Sequence, residues 1–102
     1  MSETLAAVQA LVARGEVRIS DHGYDELADD GISAGEVVPG LEGAVVVEDY
    51  RHGPRGRSVL VLLRGADGGP VHVVWVIAAG NSTPAVMVTA YRPDPSRWSA
   101  TT

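Results

Sequence analysis

The sequence predicts an α+β fold in which short N-terminal helices pack on a four-stranded antiparallel β-meander. Two observations lead to this prediction. Residues 1–43 contain three short segments with helix-capping and helix-stopping residues, whereas residues 44–91 consist of β-branched runs separated by turns rich in Gly, Pro and Asp. Because short turns favour antiparallel neighbours, we expect the strands to pair in chain order.

The first helix is expected to run to about Arg14. Ser2 or Thr4 can cap its N-terminus, and Gly15 marks its end. Apolar residues recur at helical spacing and form one stripe, which comprises Leu5, Val8, Leu11 and Val12. Residues 16–19 then form a brief extended segment.

The second helix, DHGYDELADD, starts after Ser20 at the N-cap position and ends at Gly31. Tyr24 and Leu27 are expected to face the core. The helical spacing brings four polar residues together on another face, namely His22, Asp25, Glu26 and Asp29.

The third helix is expected to be short. Ser33 and Glu36 match an S-x-x-E capping box at its start. Pro39 lacks a backbone N–H and forces an end or a kink, and Gly40 and Gly43 complete the segment.

Four strands follow, with the sequences AVVVEDY, SVLVLLR, VHVVWVI and AVMVTAY. Their apolar residues occupy both faces and do not alternate with polar ones. Pairing through symmetric turns predicts that one face carries Val61, His72, Val74, Val88 and Arg92. The other face would carry Leu60, Leu62, Val73, Trp75, Met87, Thr89 and Tyr91. Because the helices can cover one face fully, the second must curl onto itself, receive another helix or meet a partner chain, and we predict a homodimer or a protein partner.

Length and composition bound the class of protein. A chain of 102 residues is expected to form one domain over residues 1–102, with a polar tail after Trp98. The absence of Cys excludes disulfides, thiolate catalysis and cysteine-ligated metal centres. No apolar stretch approaches the ~20 residues of a membrane span, so we expect a cytoplasmic protein. A net charge of −5 disfavours broad binding to an RNA backbone, although all eight basic residues are Arg.

Two residues are the leading candidates for chemistry. His22 lies in the first turn of the second helix and could act as a general acid or base; alternatively it is a surface histidine on an acidic face. Arg92 follows the last strand and precedes Pro93, and its guanidinium could clamp a phosphate. The alternative for Arg92 is an ion pair with Asp94 or with the acidic helix.

The other candidates lie in or near strands. His72 occurs among valines, where a hydrogen-bonded core histidine is the commoner outcome, and the predicted register gives it the same face as Arg92. Tyr91 is adjacent to Arg92. His52 lies in the turn RHGPRGR and is expected to be exposed.

A metal site on the second helix is a weaker hypothesis. His22, Asp25, Glu26 and Asp29 have helical ligand spacing, but one helix rarely supplies three ligands and no HExxH-type motif occurs. We therefore predict neither a metal nor another cofactor.

Four segments together resemble a known family: SDHGYDELADDGIS, VVVEDY, VHVVW and VTAYRPD. In this order and spacing they are similar to the bacterial proteins of domain of unknown function family 4258 (DUF4258). The resemblance extends from about Val17 to Trp98. It implies a fold like that of the RelE, BrnT and barnase-like toxins, with N-terminal helices on an antiparallel sheet.

This resemblance implies metal-independent ribonuclease chemistry, in which the RNA 2′-OH attacks the adjacent phosphorus. His22 would move the proton, Arg92 would hold the phosphoryl oxygens, and Tyr91 or His72 would supply a second acid or donor. The partner implied is a cognate antitoxin-like protein. Many family members have arginines near the positions of Glu26 and Asp30. This chain has carboxylates there instead, so one side of the implied phosphate site is acidic.

Three functions therefore stay open from the sequence. The first is a toxin-like ribonuclease or an inactive relative of one, and the second is a non-catalytic interaction module that dimerises or binds a partner through its sheet. The third is a small metal- or ligand-binding protein that uses the acidic helix. The ribonuclease requires His22, Arg92 and one of Tyr91 or His72 in one cleft. The interaction module requires a large apolar surface, and its candidate residues can be dispersed.

Overall fold

A computed structural model describes residues 2–93, in which three helices and a five-stranded sheet confirm the α+β class. The helices are α1 (Glu3–Ala13), α2 (Asp21–Asp29) and α3 (Ala34–Gly40), and a 3₁₀ turn, Leu41–Gly43, follows α3. The strands are β1 (Val17–Ile19), β2 (Val45–Tyr50), β3 (Gly56–Arg64), β4 (Pro70–Ala78) and β5 (Ala85–Tyr91). The tail predicted after Trp98 lies outside the described residues. None of the described helices is long and apolar enough to cross a membrane.

The sheet has the strand order β1-β5-β4-β3-β2, so the prediction of four strands was wrong by one. Strands β2 to β5 form the predicted antiparallel meander, and β1 pairs in parallel with β5. Hydrogen bonds from Ala85 N–H to the Glu16 carbonyl and from Ser20 N–H to the Met87 carbonyl, both 3.0 Å, flank this pairing. A strand of three residues is too short to show an alternating pattern, which is why the sequence indicated only an extended segment.

Helix α1 is fixed at its N-terminus by Ser2, as predicted. The Ser2 hydroxyl accepts a hydrogen bond from Leu5 N–H at 3.0 Å and donates to the Asp49 carboxylate of β2, to which Thr4 also donates at 2.8 Å. Burial raises the pKa of Asp49, but these hydrogen bonds and the nearby Arg51 and Arg57 charges leave it below its usual value. Asp49 is therefore an ionised anchor that ties the start of α1 to the outer strand.

Helix α2 packs directly on β5 through Gly23. A Cβ at this position would lie 2.8 Å from the Met87 carbonyl oxygen, so only glycine allows this separation between helix and strand. Gly23 and Leu27, four residues apart, are the buried residues of α2. The prediction that Tyr24 faces the core was wrong, because the contact centred on Gly23 turns Tyr24 toward solvent with 56% of its surface exposed.

Helix α3 carries the predicted capping box. Ser33 N–H donates to Glu36 Oε1 at 3.0 Å, and Glu36 Oε2 accepts from Ala66 N–H at 2.7 Å in the β3–β4 loop. These bonds hold the pKa of Glu36 below its usual value. Pro39 is the penultimate residue of the helix, consistent with the predicted stop.

All three helices pack on one face of the sheet, and the core lies between them. The helices contribute Leu5, Val8, Leu11, Leu27 and Val37 to this core. The sheet contributes Val59, Val61, Leu63, Val71, Val73, Trp75, Ile77, Ala85, Met87 and Ala90.

The predicted division of residues between the two sheet faces was partly wrong. Residues 65–69 form the loop between β3 and β4, and they set a register in which Val61 is the partner of Val73. Val61 therefore lies on the helical face, opposite the face that carries His72. In β5 the register shifts between the pairs Val74–Thr89 and Trp75–Met87, which makes Val88 an extra residue in a bulge. This bulge puts Thr89 and Tyr91 on the face opposite Met87 and beside His72.

The contact at Gly23 makes a stability prediction. Gly23→Ala should lower the free energy of unfolding by about 1–3 kcal/mol, because the new methyl group forces helix and strand apart. Gly35→Ala is the matched control, since its Cβ would meet only Ser33 Oγ at an ordinary 3.7 Å, and it should be neutral or stabilising by up to about 1 kcal/mol. Urea denaturation measures both; equal effects would contradict the close packing of α2 on β5.

Candidate functional site

His22 lies in the first turn of α2 and points to solvent. The Ser20 hydroxyl accepts a hydrogen bond from Gly23 N–H at 3.0 Å, which starts the helix at this point. His22 Nε2 lies 3.2 Å from Glu26 Oε1, and 69% of the histidine side chain is exposed. The arrangement is that of a surface histidine paired with a carboxylate one turn along its helix.

Arg92 is already engaged by acidic groups at the other end of α2. Its backbone N–H donates to Asp30 Oδ2 at 2.8 Å, and its Nε donates to the Asp30 carbonyl at 3.2 Å. Its Nη1 lies 3.6 Å from Asp67 Oδ1, and its charge helps to lower the pKa of Glu36. The guanidinium therefore joins the end of β5 to α2 and to the β3–β4 loop. Asp94, the other partner considered for Arg92, lies outside the described residues.

His72 and Tyr91 form a pair on the opposite side of the sheet. The two residues are cross-strand partners in β4 and β5, and His72 Nδ1 lies 3.1 Å from the Tyr91 hydroxyl oxygen. The rings meet edge to face with centroids 5.3 Å apart. His72 is buried, with 6% of its surface exposed, and burial lowers its pKa. The sequence indicated a hydrogen-bonded histidine here correctly, but not its partner.

The four predicted site residues do not converge. His22 and Asp30, which holds Arg92, are separated by eight positions on α2 and its cap, or about 12 Å at 1.5 Å per residue. The His72–Tyr91 pair faces away from the helices, so the sheet itself lies between it and the other two residues. No single cleft contains a proton-transfer group and a phosphate clamp from this set.

The described residues also give no support for a metal site. No group of three or more His, Asp or Glu side chains within residues 2–93 is arranged to hold an ion. On the acidic side of α2, the pair in contact is His22 with Glu26. Helical spacing alone therefore brings two potential ligands together.

The face of the sheet that points away from the helices is its second face, which we call the open face. Its apolar residues form cross-strand rows and comprise Val45, Leu60, Leu62, Val74, Val76 and Val86. His72, Thr89 and Tyr91 complete the rows on β4 and β5. No helix within residues 2–93 packs on this face. Apolar residues on both sides of each strand were the signal in the sequence that such a face exists.

Comparison with protein-family models matches residues 19–92 to the family described as domain of unknown function (DUF4258). The chain belongs to this family. The DUF4258 match extends from the last residue of β1 to the residue after β5, so it includes α2 and all four strands of the meander. No curated protein and no solved structure matches the chain.

The burial of His72 makes a pH prediction. We expect its imidazole to titrate below the ordinary pKa of 6.5, because burial disfavours the charged form. The unfolded state then binds more protons, so the contribution of His72 to stability is fully present above pH 6.5 and is lost as the pH falls through the folded-state pKa.

An NMR titration of the imidazole protons measures this pKa directly. Tyr91→Phe should keep the lowered midpoint, since burial and not the hydroxyl is its cause. A midpoint at or above 6.5 in the folded protein would show that His72 is hydrated or paired with an anion.

Proposed function

We propose that this DUF4258 protein is a non-catalytic interaction module that forms a homodimer through its open face. The observation that supports this proposal best is the contrast between the two sheet faces. One face is filled by α1, α2 and α3, whereas the other presents rows of Val and Leu to which no described helix is docked. An apolar sheet face of this kind is stabilised when a second apolar layer covers it.

The size of the open face fits a second copy of the chain. The four strands of the meander have six, nine, nine and seven residues, and at ~3.3 Å per residue and ~4.8 Å between strands the face measures roughly 490 Å² in projection. Two such faces packed together remove roughly the 1,000 Å² of surface that a specific interface requires. Face-to-face packing of two sheets is also a common architecture in proteins.

The dispersal of the candidate catalytic residues supports the same proposal. Arg92 is held by Asp30 and Asp67, and His22 is exposed beside Glu26, so neither is poised at a shared substrate position. The His72–Tyr91 pair belongs to the open face, where it adds a hydrogen-bonded polar contact beside the rows of Val and Leu. In a dimer this pair would help to fix the relative position of the two sheets.

The ribonuclease-like function, which the sequence placed first, becomes the second candidate, and it rests on the sequence resemblance to the RelE, BrnT and barnase-like toxins. It requires a rearrangement that brings His22 and Arg92 to one phosphate. In this structure about 12 Å of helix separates His22 from Asp30, the residue that holds Arg92. The excess of 13 acidic over eight basic residues also opposes binding to RNA.

Dimerisation is testable by light scattering coupled to size-exclusion chromatography. The protein should have twice the mass of its 10.6 kDa chain. Val74→Thr, in the middle of the open face, should weaken dimerisation at least about tenfold, because burying a hydroxyl without a partner costs roughly 1–3 kcal/mol. Val47→Thr is the matched control at an exposed position outside the open face. A single-chain mass at millimolar concentration would contradict the proposal.

The ribonuclease alternative has its own test. In EDTA, the protein should cleave a structured RNA no faster than folded His22→Ala and Arg92→Ala variants. His52→Ala, which removes an exposed histidine from a turn, controls for general effects of losing an imidazole. If the protein cleaves RNA, the His52→Ala control cleaves it equally well and the two site variants do not, the ribonuclease function would be supported and the interaction module would be rejected.

A further inference from the structure

A groove runs along the outer edge of the sheet, between α1 and β2, and we call it the β2 groove. It has a volume of about 590 Å³ and is lined by Leu5, Ala6, Gln9, Ala44, Val45 and Val46. The lining is largely apolar. The Asp49 carboxylate, fixed by Ser2 and Thr4, lies at the groove as well, so the position of α1 beside the strand is set by hydrogen bonds.

Strand β2 is the outer strand of the sheet on this side. Its inner edge pairs with β3, and no strand within residues 2–93 pairs with its outer edge. Three large side chains of β2 are unusually exposed, Val45 at 62%, Val47 at 39% and Tyr50 at 49%. An edge strand beside an apolar groove is the arrangement that accepts an extended peptide as an additional strand.

Two carboxylates near this edge have no cationic partner among the described residues, whereas Arg51, which follows the strand, is paired with Glu3 at 2.7 Å. Glu42 lies in the turn before β2, and Glu48 lies within the strand, where its carboxylate accepts a hydrogen bond from the Tyr50 hydroxyl. No Arg or His of the described residues forms an ion pair with Glu42 or Glu48. These carboxylates are therefore available to a cationic partner.

We propose that β2 binds, as an added strand, an extended segment of a different protein in which apolar and basic side chains alternate. Val46 faces the helical side of the sheet, since it pairs with Val61, and Glu48 faces the other side, since it pairs with Leu60. A strand added to β2 would alternate in the same way. Its apolar side chains enter the β2 groove, and its Lys or Arg side chains lie beside Glu48.

Charge also determines which occupant fits the edge. A second copy of this chain would bring its own Glu48 and Asp49 to an edge that already carries both, whereas a basic segment neutralises Glu48. This site shares Val45 with the margin of the open face, but its groove lies between α1 and β2, so it does not require the proposed homodimer.

Synthetic peptides test the proposal. The probe is a peptide of about ten residues with alternating Val and Lys, a typical strand length. The first control alternates Val and Glu, and the second has the Val–Lys sequence with alternate backbone nitrogens methylated, which removes donors needed for strand pairing. In amide NMR titrations, the Val–Lys peptide should shift residues 44–50 and the groove side of α1, and both controls should bind at least about tenfold more weakly.

Two pairs of variants locate the site. Ala6→Trp fills the β2 groove and should weaken peptide binding at least about tenfold, whereas Ala10→Trp adds the same bulk at an exposed position of α1 outside it. Glu48→Gln should weaken binding about two- to fivefold at low salt, whereas Asp29→Asn removes an exposed charge of α2 and should not.

Equal binding of the Val–Glu or the methylated peptide, shifts confined to the open face, or no binding would each overturn this site. The result is distinguishable from failure of the proposed dimer. Val74→Thr should retain peptide binding whether or not the protein dimerises, because its position lies on β4, two strands away from β2.

Discussion

The structure depends on one constraint: the strands are apolar on both faces, while all three helices pack on one of them. Each central strand has a fully buried set of residues facing the helices and a half-buried set facing away, for example Val73 and Val74 in β4. Removing apolar surface from water is the main favourable contribution to folding and to association alike. Folding satisfies this requirement on the helical face, and we propose that association satisfies it on the other.

Three local contacts hold the helices on one face of the sheet. Gly23 lets α2 approach the β5 backbone, the Asp49 carboxylate anchors α1, and Glu36 ties α3 to the loop after β3. The same contacts create the β2 groove, because α1 is anchored at one point beside an edge strand that it does not cover. The two proposed binding surfaces, the open face and the β2 groove, thus follow from the placement of the helices.

The arrangement of polar residues separates structural roles from catalytic ones. Arg92 connects three elements through Asp30 and Asp67, so loss of its side chain should lower the free energy of unfolding. His72 Nδ1 and the Tyr91 hydroxyl form a hydrogen bond on the open face. Hydrogen-bonded pairs of this kind fix the direction and register in which two surfaces meet, and apolar contacts alone do not. Family membership fits either a binding or a catalytic protein, and the surfaces of this chain favour a binding protein.

Sequence reasoning succeeded where the decisive chemistry is local. The Ser2 cap, the stop at Gly15 and the Ser33–Glu36 capping box all depend on residues within one turn of each other. It failed where the outcome depends on distant pairing. The three residues of β1 form a strand only because β5 lies beside them, and Tyr24 is exposed because Gly23 faces Met87.

The site residues illustrate the same limit. The sequence AVMVTAY has no local sign of a bulge, yet the extra residue at Val88 decides that Tyr91 meets His72 while Arg92 turns toward α2. Two apolar faces per strand were visible in the pattern, and from them the second face was predicted correctly. Which residues lie on that face required the register, because a shift of one position exchanges the two sides.

The most direct test of the central claim is an isotope-filtered NOE measurement on a mixture of methyl-labelled and unlabelled protein. The account predicts intermolecular NOEs to the methyl groups of Leu60, Leu62 and Val74, since these would lie between the two sheets. The core methyls of Val61 and Val73 should show none, because they face the helices of their own chain. Intermolecular NOEs confined to another surface, or none at all at millimolar concentration, would contradict the open face as a dimer interface.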